Sequence, residues 1–204
     1  MRSVIATIAI VMLLVLLVGT VFVYSGAYYV GADQPHWGIT TWLLSEARTR
    51  SIRAHASGIT VPADLDDPVK IVAGVTHFAE HCVVCHGAPG VERDDIAEGL
   101  SPRPPNLADT VRFYKPGELF WIVKHGIRMT GMPAWGDHSD DELWAVVAFL
   151  QELTELSAPD YAKLIAVSRA QGVHHQDSHE AQPQSEPTQP PVGRDRDHPA
   201  GHQQ

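Results

Sequence analysis

The sequence predicts an all-α protein, because its apolar residues recur at helical spacing in segments bounded by helix-capping residues. Residues 4–24 form an almost unbroken apolar run. This length matches the roughly 20 residues that cross a bilayer core as a helix. Residues 69–80, 115–124 and 139–153 combine apolar residues at helical spacing with Gly, Pro or Ser at their boundaries, so each predicts a further helix.

The first 30 residues predict a transmembrane signal anchor. Arg2 is their only charged residue. The apolar region of a cleaved signal peptide usually spans only about 7–15 residues. The small residues 25–27 would nevertheless suit cleavage, which remains the alternative. Arg2 on the short side predicts a cytoplasmic N-terminus, with the remainder of the chain on the outer face.

A second helix is predicted between Pro35 and Gly58, which suit a helix start and stop. Trp42 belongs to its apolar side, whereas three arginines lie on a more polar side. A basic, aromatic helix of this kind can lie along the membrane surface. It can also pack on a partner subunit or on the domain that follows, and the sequence leaves both interpretations open.

The helix predicted over residues 69–80 has a clear start and an unusual interior glycine. Asp67 suits the N-cap and Pro68 the first turn. Gly74 costs about 1 kcal/mol relative to Ala in a helix interior, so it predicts the close approach of another helix. The expected partner is the last helix, which begins with the capping box of Ser139 and Glu142.

The segment Cys82-Val83-Val84-Cys85-His86 reads C-x-x-C-H, the attachment signal of c-type haem. In this motif, each thiol bonds one vinyl group and the histidine becomes the proximal iron ligand. These are the only two cysteines, so a four-thiolate zinc site is excluded. A thioredoxin-like redox pair would need a βαβ context that this sequence lacks. We therefore predict one covalently attached haem c.

A second iron ligand is predicted at Met132, which lies between a glycine and a proline. These neighbours exclude a helical core position for the methionine and predict a loop. A methionine sulfur opposite His86 would give the His/Met pair that favours electron transfer. Met129 and His125 are the competing candidates.

The loop at residues 87–107 contains two consecutive prolines, Pro104 and Pro105. A ligating histidine normally donates its other ring N–H to a carbonyl or carboxylate. We predict that one of these proline carbonyls accepts that hydrogen bond from His86. The alternative is that the prolines only stiffen the loop.

The end of the chain loses its core pattern after Pro159, apart from a short helical stretch allowed at residues 161–169. Residues 171–204 consist mainly of polar residues and cannot bury enough apolar surface to order themselves. They include five histidines, which fit a divalent-metal site; a solvated tail without metal is the alternative. The histidines are His174, His175, His179, His198 and His202.

Residues 69–153 resemble a class I cytochrome c domain of the bacterial membrane-anchored monohaem type. The resemblance rests on Gly74, Phe78, the C-x-x-C-H motif, residues 131–135, Trp144 and Phe149. It implies a small all-α fold around one covalent haem, with His86 and Met132 as the axial ligands. The predicted domain organisation is an anchor at 1–30, an interfacial helix and linker at 31–66, a haem domain at 67–158 and a disordered tail at 159–204.

The predicted function is single-electron transfer by a protein that is not itself an enzyme. Its partners would be redox proteins in or at the bacterial inner membrane, with the haem domain on the periplasmic side. No nucleic-acid partner is expected. The alternative is a cytochrome subunit of a dehydrogenase or terminal oxidase complex. A gas-binding haem sensor would require the Met132 ligand to dissociate easily.

Overall fold

A computed structural model of the protein describes residues 1–172, and within them the predicted all-α class is confirmed. The only pairing of β type in this part of the chain is an isolated bridge between Ala88 and Val91. The helices are α1 (Arg2–Tyr24), α2 (Gly38–Ala56), α3 (Pro68–His77), α4 (Val83–His86), α5 (Asp95–Glu98), α6 (Leu107–Thr110), α7 (Pro116–His125), α8 (Asp140–Leu153) and α9 (Ala158–Ala170). A π-helical turn, Phe78–Cys82, joins α3 to α4, and a 3₁₀ turn, Val111–Phe113, follows α6.

Helix α1 is the one segment of residues 1–172 that is long and apolar enough to cross a membrane. It spans 23 residues, its most apolar window has a mean hydropathy of 3.0, and none of its residues is buried. Because so many apolar side chains face outward, the helix suits a lipid environment.

Helix α2 begins after Trp37 and divides into two halves. Ile52 and Ala56, in its last turns, are buried where α2 packs on α7. The His55 ring lies 5.6 Å from that of Trp121 on α7. This half of α2 therefore packs on the following domain. The first half exposes its apolar residues, Ile39, Trp42 and Leu43.

The core of the domain is built on the crossing of α3 and α8. Gly74 lies at this crossing, where an added Cβ would collide with the carbonyl of Ala145 and come within 2.9 Å of Phe149 Cβ. The close helix approach predicted from Gly74 is confirmed. The Phe78 and Phe149 rings, both fully buried, pack beside it with centroids 5.0 Å apart.

The predicted capping box at the start of α8 is also confirmed. The Ser139 hydroxyl accepts a hydrogen bond from the backbone N–H of Glu142, and the Glu142 carboxylate accepts one from the Ser139 N–H. These bonds satisfy backbone donors that the first helical turn leaves without intrahelical acceptors. They set where α8 begins.

Helix α9 covers Ala158–Ala170 and packs on α3. The short helical stretch allowed at residues 161–169 is therefore present, but the prediction that the disordered tail begins at residue 159 does not hold for these residues. Tyr161 is only 5% exposed, and its ring lies 6.2 Å from Phe149. Leu164 and Ile165 of α9 also pack against the core, and a criterion of overall composition missed these contacts. The predicted tail histidines lie outside the described residues.

Candidate haem-binding site

The two cysteines lie on one continuous helical segment, at the end of the π turn and in α4. Cys82 and Cys85 are partly buried and are not joined by a disulfide. Residues three apart on a helix lie on the same face, so both thiols can address one ligand. The segment ends at Gly87, whose φ of 67° is readily adopted only by glycine.

Burial controls the protonation of the Cys82 thiol. Burial, with a smaller contribution from Cys85, raises the pKa of the Cys82 thiol to about 12. Reactive cysteines and zinc ligands act as thiolates, which require a lowered pKa. Burial therefore favours the neutral thiol at Cys82, which is not the environment of an activated nucleophile or a zinc-bound thiolate.

His86 is oriented by the segment that contains Pro104 and Pro105, called here the proline loop. Its Nδ1 lies 2.9 Å from the carbonyl oxygen of Pro105, which can only accept, so Nδ1 carries the proton. This leaves Nε2 unprotonated and able to bind a metal. Burial lowers the pKa of His86, the Pro105 carbonyl opposes this shift, and the charge of Arg93 adds to it. A proline carbonyl was predicted to orient His86, and the structure identifies Pro105 as the acceptor.

Arg93 is a positioning residue that the sequence analysis missed. Its guanidinium donates to the carbonyl oxygen of Pro104 at 2.8 Å and lies 3.8 Å from the Glu98 carboxylate. Arg93 thus ties the proline loop to the segment that follows the cysteine motif. In the sequence it is one arginine in a charged loop, with no motif to mark it.

Met132 lies in a short loop whose backbone is held by hydrogen bonds. Its N–H donates to the Thr130 hydroxyl at 3.1 Å, and its carbonyl accepts from the N–H of Ile127 at 3.2 Å. Met132 is partly buried, whereas the competing Met129 is 70% exposed and has a φ of 59°. Burial therefore favours Met132 over Met129.

The Met132 loop meets the segment between α5 and the proline loop. A Cβ on Gly131 would lie 2.7 Å from Cδ1 of Leu100, so the two segments touch. The other competing ligand, His125, is exposed, with its ring 5.0 Å from that of Trp121. Two thiols on one helical face, an oriented imidazole and a partly buried thioether form a donor set that fits haem c.

Two comparisons with known proteins agree with this site. Residues 70–150 match the family model described as cytochrome C oxidase, cbb3-type, subunit III. The match indicates a class I c-type cytochrome domain over this segment. Over 118 residues, 57% of the chain, the sequence is 29% identical to a quinohemoprotein alcohol dehydrogenase from Comamonas testosteroni. The chain spans only 16% of the length of that relative.

The predicted resemblance is therefore confirmed for residues 70–150. A domain of this family binds haem iron and serves in electron transport. The all-α arrangement of α3 to α8 agrees with the same conclusion.

Proposed function

We propose that the protein is a membrane-anchored c-type cytochrome that transfers single electrons through one haem. Cys82 and Cys85 would form the thioether bonds, and His86 and Met132 would be the axial ligands. The observation that carries the proposal is the hydrogen bond from His86 Nδ1 to the Pro105 carbonyl. It fixes the tautomer that directs Nε2 toward a metal, immediately beside two thiols on one helical face.

The haem iron supplies the one-electron couple when bound, and the protein supplies binding, orientation and electrostatics. His86 is held neutral by burial, which suits an iron ligand. The Thr130 and Ile127 hydrogen bonds hold the Met132 loop. With both axial positions filled by protein, substrate would have no open coordination position, so this chain would carry electrons rather than catalyse a reaction.

The membrane location is supported by helix α1. Arg2 precedes its apolar span, Tyr24 ends it, and Tyr28 and Trp37 follow it, as interfacial aromatic residues do. By the positive-inside rule, the N-terminus lies in the cytoplasm and the haem domain on the periplasmic side of the bacterial inner membrane. Redox proteins in or at that membrane would be the partners.

A second candidate function is that of a cytochrome subunit in a dehydrogenase or oxidase complex. The exposed apolar residues in the first half of α2, among them Ile39 and Trp42, offer a surface for a neighbouring chain. The names of the matched family and of the similar dehydrogenase fit this role. Solubilising the membranes in mild detergent and measuring the native mass of the purified protein separates the two candidates. A subunit would be found in a complex with a catalytic chain, whereas an independent electron carrier would not.

The ligands are tested by optical spectra of the purified full-length protein beside Met132→Ala, with Met129→Ala as the matched control. We expect the ferric protein to show the weak far-red band of sulfur bound to iron. Met132→Ala should lose this band and Met129→Ala should keep it. A high-spin ferric spectrum in the unmutated protein, or loss of the band only in Met129→Ala, would contradict the ligand assignment. Denaturing mass spectrometry should show one haem retained by the chain.

A further inference from the structure

Three histidines that the haem site does not use converge on one side of the domain. His77 ends α3, His81 lies in the π turn, and His138 lies in the loop before α8. The nitrogens of these three side chains that could bind a metal all lie within 4.8 Å of one another. The ring centroids are 4.7 Å apart for His77 and His81, and 4.9 Å apart for His77 and His138.

The helical backbone and the α3–α8 crossing bring these rings together. His77 and His81 are four residues apart, so they share one face of the helical segment. The π turn begins directly after His77 and includes His81, and π turns inside α-helices occur frequently at functional sites. His138 reaches the same place because its loop leads into α8, which crosses α3 at Gly74.

Trp135 forms a wall of the cluster. Its ring centroid lies 5.6 Å from that of His77, 5.1 Å from His81 and 5.3 Å from His138. The backbone N–H of His138 donates to the Trp135 carbonyl at 3.2 Å, which holds the two side chains in one turn. An apolar ring beside three imidazoles restricts their orientations and limits access of water.

We propose that His77, His81 and His138 bind a divalent transition-metal ion such as Zn²⁺. Imidazole nitrogen suits Zn²⁺ and its first-row neighbours, whereas Ca²⁺ and Mg²⁺ select oxygen ligands. Three protein ligands leave a fourth position on a tetrahedral ion for water or another group. The Glu80 carboxylate, 4.0 Å from His81 Nε2, adds negative charge beside the site.

The geometry requires only small side-chain movements. Zinc lies about 2.0–2.1 Å from a histidine nitrogen, so two nitrogens on one ion are at most about 4.2 Å apart. His77 is 1% exposed and provides a fixed ligand. His81 and His138 are partly exposed, which leaves their rings room to turn toward it. Its ligand His81 directly precedes Cys82 in the chain, so the ion would lie close to the proposed point of haem attachment.

The test is a Zn²⁺ titration by calorimetry on the full-length haem-loaded protein, without an affinity tag. The five tail histidines are replaced by Asn in every sample, because they could bind zinc independently. We expect one Zn²⁺ per chain in this background. His81→Ala and His138→Ala should each weaken zinc binding by about 100-fold or more. Loss of a residue that only hydrogen-bonds to a metal ligand already lowers metal affinity by about 10–100-fold, and loss of the ligand itself should cost more.

His55→Ala is the matched control, since His55 is exposed on α2 and lies outside the cluster. It should bind zinc with unchanged affinity. All variants should retain the haem absorption spectrum, which reports folding separately from zinc binding. Absence of zinc binding in the background protein, or equal affinity in all variants, would overturn the proposal.

X-ray absorption at the zinc edge counts the ligands around zinc without requiring a substitution in any of the three histidines. We expect three imidazole nitrogens around zinc in the background protein. Two or fewer would overturn the three-histidine assignment even if His138→Ala fails to fold.

Discussion

Helices α1 and α8 both contain long apolar surfaces, but α1 is apolar all round, whereas α8 also carries acidic and amide residues. No residue of α1 is buried by the described part of the chain, whereas nine of the 14 residues of α8 are buried. Helix α8 begins with a capping box, and α1 has no side-chain cap. The comparison shows how the distribution of apolar residues around a helix decides what the helix packs on. An apolar surface all round requires lipid, while an apolar face with capped ends packs on protein.

The largest expected difference between the two helices comes from truncating one apolar side chain in each. Phe149→Ala in α8 removes a fully buried ring and should destabilise the domain by about 3–5 kcal/mol. Leu14→Ala in α1, where the side chain is 53% exposed, should leave domain stability unchanged. Thermal unfolding in detergent, followed by far-ultraviolet circular dichroism, measures both. Equal losses would mean that α1 packs on the domain.

A smaller difference is expected from adding one methyl group to a glycine of each region. Gly74→Ala would collide with the Ala145 carbonyl, and backbone cannot move aside as a flexible side chain can. The clash should outweigh the gain in helix propensity and cost about 1–3 kcal/mol. Gly19→Ala meets nothing within 4 Å and is the matched control. The same unfolding measurement applies, and a Gly74→Ala protein as stable as Gly19→Ala would contradict the close crossing.

The smallest expected effect concerns the docked helix α9 and depends on pH. Lys163 and the Ser157 hydroxyl lower the pKa of Asp160, so the ionised carboxylate favours the folded state. This contribution is present above the unfolded pKa of about 3.8 and is lost as pH falls through the lower folded pKa. Asp160→Asn should therefore lower the melting temperature slightly at pH 7 and not at all near pH 2. A difference that persists at low pH would implicate packing rather than charge.

Local signals predicted much of the haem site. The C-x-x-C-H spacing identified Cys82, Cys85 and His86 as a set, and the structure places them on one helical segment. The expectation that a proline carbonyl orients His86 is met by Pro105. The assignment of Met132 as an axial ligand stays a prediction, supported by its burial relative to Met129. The haem motif is predictable because its residues are close together in sequence, and Pro105 and Met132 were predicted because each has a recognisable local setting, a proline pair and a Gly-Met-Pro loop.

Contacts between distant segments were the ones that the sequence analysis missed. The docking of α9 depends on Tyr161 reaching Phe149, and the guanidinium of Arg93 reaches across the loop to Pro104. The histidine cluster combines His77 and His81 with His138, which lies on the far side of α7 in the chain. In the sequence, each of these is an ordinary residue without a motif.

The sequence by itself determined the longer helices α1, α2, α3, α7 and α8, the caps of α3 and α8, and the haem motif, because each follows from local spacing and the chemistry of neighbouring residues. Only the tertiary structure decided which faces meet. Gly74 allows α8 to cross α3 at close range, and that crossing brings His138 to His77 and seats Tyr161 beside Phe149. Long-range packing depends on the fit of several surfaces at once, which no single stretch of sequence specifies.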